Sequence, residues 1–520
     1  MSQLPELVKA LLKPEAYPEE TGAVSLIQTQ MSFVFLTDQF VYKVKKPVNL
    51  GYLDYSTLEK RRYFCEKEVE LNLRLCPDAY LGVVAVTEQE GKISTGGSGR
   101  VIEYAVKMLR LPQEQMMDSL IESGDITPEM INNMAQKIAV FHNQAATGGE
   151  IDSFGSLDMI KHNAEENFSQ SQKYIGVTLS QKQYGAIGRY TRSFIKNNKA
   201  LFERRVQDGR IRDLHGDLHA AHICFCDDIC IYDCIEFNDR FRYGDTASEI
   251  AFLAMDLDYY GRADLSRLFL SSYIEKSGDT ELKTLLNFYK CYRSYVRGKV
   301  ANFKLDDPYI GKLEREKAKL AAQTYFHLAR AYTRKRPELF ITVGLVGSGK
   351  TTLANELAKK LGLVVLSSDV TRKQLAEIPQ TERRYEEIDC GIYSPEFTEK
   401  TYYMLFKEAE YILKDGGSVI IDASFIKVSR RKEAAELARR TGAEFYILEC
   451  RLDEDTTRKR LLERYRLKTA SDGRWEIYTR QKQVYEPVKE MPSKQNRVII
   501  DTSKPNLESA KEVIEKLYNY

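Results

Sequence analysis

Residues 344–352 combine the glycines, lysine and hydroxyl groups that a phosphate-binding loop requires. Their sequence is Gly-Leu-Val-Gly-Ser-Gly-Lys-Thr-Thr, directly after the apolar run 339–343. The glycines allow a tight turn with inward N–H groups, Lys350 can reach the β- and γ-phosphates, and the Thr351 hydroxyl can bind Mg²⁺. The segment therefore predicts a site for ATP or GTP with Mg²⁺. The expected nucleotide-binding residues are Gly344, Leu345, Val346, Gly347, Ser348, Gly349, Lys350, Thr351 and Thr352.

Two later strand-like segments end in carboxylates that could serve the same chemistry. The run 363–367 leads to Asp369, and ligands of parallel sheets bind at the carboxyl ends of the strands. We expect Asp369 to accept the proton of an attacking hydroxyl and Arg372 to contact the transferring phosphate. The alternative is that Asp369 caps the next helix. The apolar run 418–422 ends in Asp422, which could hold Mg²⁺ directly or through water.

The segment 453–466 is dense in arginine and predicts a charged helix. One interpretation is a solvated face stabilised by ion pairs between residues four apart. The other is a mobile lid whose arginines, Arg464 first and then Arg460, stabilise charge on the leaving γ-phosphate.

A second group of chemically capable residues lies at 215–223, where three of the chain's six histidines occur. In the sequence His-Gly-Asp-Leu-His-Ala-Ala-His-Ile, Asp217 could accept a substrate proton. Beyond a predicted hairpin, Glu236 could hold Mg²⁺. The chain thus has the material for two nucleotide sites.

Lys43 lies on a predicted strand and could pair with the α- and β-phosphates and with a helix glutamate such as Glu68. Lys45 shares the same face of that strand, so alternation leaves the two lysines as rivals. Glu66 and Glu70 likewise remain rivals of Glu68. The alternative interpretation is that all of these are solvated charges.

Composition limits the class of protein. A chain of 520 residues exceeds what one hydrophobic core usually supports, so two or three domains are expected. A net charge of +2 gives no case for an extended nucleic-acid or membrane surface. We expect no signal peptide and no membrane span, since no apolar stretch approaches about 20 residues. The nine scattered cysteines predict reduced thiols in a cytoplasmic protein.

The periodicity of the chain predicts two domains. Residues 1–335 begin with a hairpin of strands 32–36 and 40–44, a helix from a capping box at Ser56, and two further strands at 81–86 and 101–106; helical patterns dominate thereafter. This is an α+β pattern. From 336 to 520, strands alternate with helices, which indicates an α/β fold with a parallel sheet. The expected strands of that sheet are 339–343, 363–367, 418–422, 444–450 and 497–501.

The C-terminal part resembles the small P-loop kinases of the polynucleotide-kinase, zeta-toxin and gluconate-kinase type. The resemblance depends on the phosphate loop, on residues 367–373 and on the strand ending in Asp422. It implies transfer of a γ-phosphate to a hydroxyl group, with an acceptor that varies across the group.

Residues 20–320 resemble the aminoglycoside-phosphotransferase-like family. The matching features are residues 215–219, the run 235–237, and Gly244-Asp245 followed by Glu249. The resemblance implies a protein-kinase-like fold with a β-rich lobe and a helical lobe. It also implies that Thr29 to Ser32 replace a glycine-rich phosphate flap, and that residues 103–108 offer backbone groups to adenine.

Two positions depart from that family's pattern. His222 stands where the family usually has an asparagine that binds a second Mg²⁺, and imidazole suits Mg²⁺ poorly. Glu236 replaces the usual metal-binding aspartate, with Asp233 and Asp239 as nearby substitutes.

These features favour a bifunctional ATP- and Mg²⁺-dependent phosphotransferase acting on small hydroxylated molecules. A second hypothesis makes the N-terminal half a non-catalytic binding or regulatory module. A third makes the P-loop half a nucleic-acid 5′-hydroxyl kinase, using the basic residues at 427 and 430–432. The near-neutral chain does not favour a nucleic-acid partner.

Overall fold

The computed structural model describes residues 4–307, 310–379, 382, 390–464, 473–490 and 496–518. These residues form two compact units. The first comprises Met1–Asn163, Ile195–Asp256 and Leu268–Tyr289, and the second comprises Ala164–Phe194, Leu257–Arg267 and Lys290–Tyr520. The second unit thus includes helical segments that precede residue 336 in the chain.

A six-stranded antiparallel sheet opens the first unit. Its strands are β1 (Ser25–Gln28), β2 (Ser32–Leu36), β3 (Phe40–Lys45), β4 (Tyr80–Gln89), β5 (Lys92–Thr95) and β6 (Arg100–Leu109), in the spatial order β1-β2-β3-β6-β4-β5. The predicted strands are confirmed, whereas β1 and β5 were not anticipated. Alternation along β3 turns Tyr42 and Val44 into the core and Lys43 and Lys45 to the opposite face.

Two helices accompany this sheet, α1 (Glu6–Leu11) and α2 (Leu58–Asn72). The predicted cap of α2 at Ser56 is wrong by one residue, because the Thr57 side chain accepts the Lys60 N–H. The Ser56 hydroxyl instead donates to Asp54. Adjacent serine and threonine offer equivalent capping groups, so the sequence could not separate them.

Helices dominate the chain between residues 113 and 334, as predicted. They are α3 (Met117–Ser123), α4 (Pro128–Gln144), α5 (Leu157–Ser171), α6 (Gln181–Asn197), α7 (Lys199–Gln207), α8 (Asp239–Arg242), α9 (Thr246–Tyr259), α10 (Ala263–Ser277), α11 (Leu282–Phe303) and α12 (Lys312–Ala331). Two short antiparallel pairs lie among them. They are β7 (Ile211–Asp213) with β10 (Tyr243–Asp245), and β8 (Ile223–Phe225) with β9 (Ile229–Ile231).

One disulfide corrects the expectation that every cysteine is a reduced thiol. Cys76, after α2, is bonded to Cys230 in β9, with Cα atoms 4.5 Å apart. The two residues are 154 positions apart in the chain, and their spacing gave no sign of pairing. The other seven cysteines are free, and the Sγ atoms of Cys224 and Cys226 lie 3.0 Å apart.

A five-stranded parallel sheet forms the centre of the C-terminal region, and all five predicted strands are confirmed. The strands are β11 (Glu338–Val343), β12 (Leu363–Ser367), β13 (Ser418–Asp422), β14 (Glu444–Arg451) and β15 (Arg497–Asp501), in the order β12-β13-β11-β14-β15. The helices are α13 (Lys350–Leu361), α14 (Ser368–Leu375), α15 (Pro395–Lys414), α16 (Val428–Thr441), α17 (Glu454–Arg464), α18 (Trp475–Val484) and α19 (Asn506–Tyr518).

Helices cover both faces of this sheet. Leu339 and Ile341 of β11 pack with residues of α15 and α16, whereas Phe340 packs with residues of α13 and α19. Burial on both faces explains the continuous apolar sequences of the strands. Among the described residues, no helix has both the length and the apolarity needed to cross a membrane.

The buried Arg205 leads to a stability prediction. Its guanidinium contacts Asp245 at 2.7 Å and Asp279 at 2.6 Å, and its side chain is 1% exposed. Replacing Arg205 with leucine leaves two buried carboxylates without their cationic partner. Arg205→Leu should therefore lower the free energy of unfolding by about 3–5 kcal/mol. The neighbouring Arg204 is 52% exposed and pairs with Glu281, so Arg204→Leu should cost less than about 1 kcal/mol. Urea denaturation of both variants checks this; equal losses would contradict it.

Candidate active sites

The loop between β11 and α13 has the tight form that phosphate binding requires. Gly347 has φ of +81°, and a Cβ there would lie 3.0 Å from Thr457 Cγ2. The buried Ser348 hydroxyl has no hydrogen-bond partner among the described residues. The Val346 N–H donates to the Gln481 side-chain oxygen at 2.8 Å, so an oxygen acceptor already lies against the loop. These features fit a bound phosphate chain.

Thr351 and Asp422, the two predicted Mg²⁺ ligands of this site, lie together. The Thr351 hydroxyl donates to Asp422 Oδ2 at 2.7 Å, and Asp422 is 4% exposed at the end of β13. Burial raises the pKa of Asp422, while the Thr351 hydrogen bond and the Lys350 ammonium oppose that rise. A hydroxyl and a carboxylate are the oxygen donors that Mg²⁺ prefers, so the residues present fit this ion.

A cavity of about 560 Å³ adjoins the loop, and several predicted residues border it. They are Gly347, Gly349, Lys350, Thr351, Asp369, Arg372 and Asp422. Asp369 lies in the first turn of α14, whose N-cap position is Ser367, so the alternative that Asp369 is the cap does not hold. The Lys350 ammonium donates to the Leu345 carbonyl at 2.9 Å.

Arg372 forms part of the cavity wall. Its Nη1 donates to the Ile392 carbonyl and, at 3.3 Å, to the Thr398 hydroxyl, and its guanidinium lies 4.9 Å from the Tyr393 ring centre. Burial lowers the pKa of Arg372, with Asp369 opposing the shift. The buried Nε has no partner among the described residues. A guanidinium held in this way retains donor capacity for an anion.

The structure describes the side chain of only one of the two arginines predicted for the lid. Arg464 ends α17, but its side chain lies outside the described part of the chain, as do residues 465–472. Arg460 donates to the Thr502 carbonyl at 2.8 Å, and its Nη1 lies near the loop at Gly349. No local pattern predicted that α18 would contribute Arg480 and Gln481 to the cavity wall.

In the N-terminal region, one buried carboxylate receives both candidate lysines. Glu68 is fully buried, and its oxygens lie 2.8 Å from the Lys43 ammonium and 2.7 Å from the Lys45 ammonium. Burial lowers the pKa of each lysine, but the surrounding carboxylates reverse this and hold it well above its usual value. The rivals Glu66 and Glu70 instead pair with Arg62 and Lys67 on an exposed face.

The two lysines connect Glu68 to different acidic residues. Lys43 contacts Asp233 at 2.5 Å, whereas Lys45 pairs with Glu236. The Tyr55 hydroxyl also donates to Glu236 at 2.6 Å. Glu236 therefore contacts Lys45 and Tyr55, whereas Asp233 contacts Lys43.

Asp217 lies beside histidines and close to Asp233. His222 Nδ1 is 3.7 Å from Asp217 Oδ2, and His222 Nε2 is 3.6 Å from Asp233 Oδ2. Burial, followed by the influence of His219, lowers the pKa of His222 to about 3, so its imidazole is neutral. Asp233 has φ of +63°, a conformation that non-glycine residues rarely adopt. Lys43, Asp217, His222 and Asp233 thus form one group.

A buried glutamate fixes the loop that carries Asp217. Glu249 accepts the Gly216 N–H at 2.6 Å and lies 2.7 Å from His142 Nε2. This arrangement ties the loop to α9 and α4.

Two other expectations concern the small sheet. Thr29 Oγ1 accepts the Ser32 N–H at 2.9 Å, which closes the turn between β1 and β2, and Ser32 pairs in register with Lys45. The expectation that residues 103–108 offer backbone groups to adenine is wrong for residues 105–108, which lie inside β6 with β3 on one side and β4 on the other. The register of β3 with β6 ends at Ala105, so for Glu103 and Tyr104 the expectation stays a prediction.

The strand, glycine loop and helix at 338–361, with Asp422 on the adjacent strand, define a P-loop nucleotide-binding domain. Residues 339–488 match the family model described as an AAA domain. The uncharacterized protein Rv2004c of Mycobacterium tuberculosis (strain ATCC 25618 / H37Rv) is 30% identical over 446 residues, which cover 85% of this chain and 86% of the relative. The uncharacterized protein Mb2027c of Mycobacterium bovis shows the same figures. This chain belongs to the same protein family as these mycobacterial proteins.

Solved structures show weaker likenesses. A choline/ethanolamine kinase family protein from Mesorhizobium loti aligns with 63% of this chain and 98% of its own, at 11% identity and a TM-score of 0.37. A sugar kinase from Janibacter sp. HTCC2649 aligns with 35% of this chain and 94% of its own, at 17% identity and a TM-score of 0.27. TM-scores this low support no inference about activity.

Gly347 provides a test of the phosphate loop. Gly347→Ala adds a Cβ 3.0 Å from Thr457 at a left-handed residue, so the loop must shift and ATP affinity should fall at least tenfold, about 1.4 kcal/mol. Gly416 has φ of +82° with no atom within 4 Å of an added Cβ. Gly416→Ala therefore carries similar backbone strain without crowding the loop, and should leave affinity unchanged. Calorimetric titration with a non-hydrolysable ATP analogue measures both; equal affinities in the two variants would argue against this role.

Proposed function

We propose that this protein is an ATP-dependent phosphotransferase that moves the γ-phosphate to a hydroxyl group of a small molecule. The observation that carries the proposal is the arrangement of Lys350, Thr351 and Asp422 beside one cavity, with Asp369 on its wall. A cavity of about 560 Å³ suits a small ligand. The kinase domain in this proposal comprises residues 336–520. The seven free cysteines also lead us to propose a cytoplasmic location.

Each residue of the P-loop site has a distinct role in this proposal. ATP with Mg²⁺ supplies the activated phosphoryl group. Lys350 and the loop N–H groups bind the phosphates, and Thr351 and Asp422 hold the cation. Asp369 accepts the proton of the acceptor hydroxyl, while Arg372 stabilises negative charge with its unpartnered Nε. Arg464 remains the expected lid residue.

We further propose that residues 1–335 form a second phosphotransferase domain. Asp217 is its general base, and Lys43, held by Glu68, contacts the nucleotide phosphates. Ser32 belongs to its phosphate flap. For the metal, Asp233 with His222 is favoured by their proximity, and Glu236 remains the alternative.

The second candidate function is a non-catalytic N-terminal module, favoured by the imidazole of His222 where an oxygen ligand is expected. The nucleic-acid kinase is less well supported. Arg430 pairs with Glu399 and Glu433, and the buried Arg431 pairs with Glu490, so half of the basic group is neutralised within the protein. A small-molecule acceptor is therefore the proposal.

Removal of the P-loop residues gives the first test of activity. In a screen of hydroxylated metabolites for ATP consumption, Lys350→Met should abolish turnover at the P-loop site. Asp369→Asn should lower kcat by about 10²–10⁴ while leaving the KM for ATP nearly unchanged, because only proton transfer is lost. Lys359→Met, an exposed lysine on the same helix α13, serves as control. Full activity in Asp369→Asn would exclude Asp369 as the base.

The N-terminal site is tested in the background that lacks the P-loop lysine. If the first domain is a kinase, Lys350→Met retains turnover with some acceptors, and adding Asp217→Asn removes it. Asp227→Asn, on an exposed loop ten residues away, should leave that turnover intact. If Lys350→Met alone abolishes all ATP consumption across the screen, the non-catalytic module is the better description.

A further inference from the structure

We propose that the N-terminal site binds a transition-metal dication, such as Mn²⁺, Co²⁺ or Zn²⁺, in preference to Mg²⁺. The ligands are Asp217, His219 and His222, whose donor atoms all lie within 4.8 Å of one another. This inference rests on the proposed N-terminal site but changes both its metal and its ligands. Asp217, through Oδ2, and His219 join His222 on the ion, and Asp233 contacts His222 instead of the ion.

The distances among these donors are close to those of an assembled site. His219 Nε2 lies 3.5 Å from Asp217 Oδ2, and His222 Nδ1 lies 3.7 Å from the same oxygen. Metal–ligand bonds of about 2.0–2.2 Å place neighbouring tetrahedral donors roughly 3.3–3.6 Å apart. Both histidines thus lie near tetrahedral spacing from Asp217 Oδ2, and side-chain rotations would bring the three donors onto one ion.

The state of His219 provides independent support. The residue is 5% exposed, so its ring is held in a defined position. Its ring centre lies 3.8 Å from that of His222, and its Nε2 faces Asp217. A second imidazole nitrogen beside the Asp217 carboxylate is the donor combination that transition-metal dications accept.

Asp233 completes the arrangement around His222. In this structure His222 Nδ1 lies 3.1 Å from the Asp217 carbonyl oxygen, a contact that Nδ1 exchanges for the ion when it serves as the ligand atom. Nε2 then carries the proton and faces Asp233 Oδ2 at 3.6 Å. The other oxygen of Asp233 is held by Lys43 at 2.5 Å, which fixes the carboxylate in place. Carboxylates commonly orient metal-bound imidazoles in this way and raise their basicity.

The chemistry of this donor set determines which ion it selects. Mg²⁺ prefers oxygen donors and loses its bound water molecules reluctantly. Mn²⁺, Co²⁺ and Zn²⁺, by contrast, accept an imidazole nitrogen as a ligand. Asparagine at position 222 would supply an amide oxygen instead. The identity of residue 222 therefore controls the choice of metal.

The test is metal binding to the full-length, untagged protein after chelator treatment, without nucleotide or acceptor. Calorimetry should show one Co²⁺ or Zn²⁺ site at least 100-fold tighter than any Mg²⁺ site, and Co²⁺ should give a visible spectrum of nitrogen and oxygen ligation without thiolate charge transfer. His222→Asn should weaken Co²⁺ binding at least tenfold and strengthen Mg²⁺ binding, and His219→Gln should weaken Co²⁺ binding by a similar factor. His162→Asn, which alters an exposed histidine, should change neither.

Equal affinity for Mg²⁺ and Co²⁺, or unchanged Co²⁺ binding in His222→Asn and His219→Gln, would overturn the proposal. Thermal unfolding of the metal-free variants verifies that each is folded. Because binding is measured without phosphoryl transfer, an inactive protein that binds Co²⁺ here contradicts the proposed kinase activity alone. An active enzyme that prefers Mg²⁺ contradicts the metal assignment alone.

Discussion

The fully buried carboxylate of Glu68 is the interaction on which the N-terminal site depends. It joins helix α2 to strand β3 by accepting the ammonium groups of both Lys43 and Lys45. Because removing the partners of a buried ion pair leaves an uncompensated charge, Glu68 needs at least one of these lysines. The same lysines then hold Asp233 and Glu236, so the positions of the acidic groups follow from the burial of one glutamate.

The P-loop site also contains a buried carboxylate, but different groups compensate its charge. Asp422 is buried at the end of a strand, and its charge faces the Thr351 hydroxyl and the Lys350 ammonium rather than a bonded lysine. A neutral hydroxyl compensates a carboxylate only in part, and burial still raises the pKa of Asp422. A divalent cation offsets that deficit better than any side chain present. The buried carboxylate of Glu68 is therefore balanced by two lysines, whereas that of Asp422 leaves a place for a cation.

The sequence predicted the features that depend on local pattern. The five strands of the parallel sheet follow from continuous apolar runs, and the phosphate loop follows from glycine spacing, because both are encoded by neighbouring residues. The pairing of Glu68 with both lysines could not be predicted, since Glu66, Glu68 and Glu70 of α2 were equivalent candidates and only tertiary packing decides which one is buried. The Cys76–Cys230 disulfide and the contribution of α18 to the cavity were missed for a related reason. They join segments far apart in the chain, and no local signal specifies them.

The backbone of Asp233 shows how the N-terminal site is held in shape. A left-handed aspartate costs free energy, of order 1 kcal/mol, that surrounding contacts must offset. Lys43 holds one carboxylate oxygen, and the Asp233 N–H donates to the Tyr80 hydroxyl at 3.2 Å. The second oxygen is thereby directed toward His222. Because the protein itself supplies all of these contacts, the Asp233 carboxylate is positioned without a ligand. The backbone strain at Asp233 is the free-energy cost of this preorganisation.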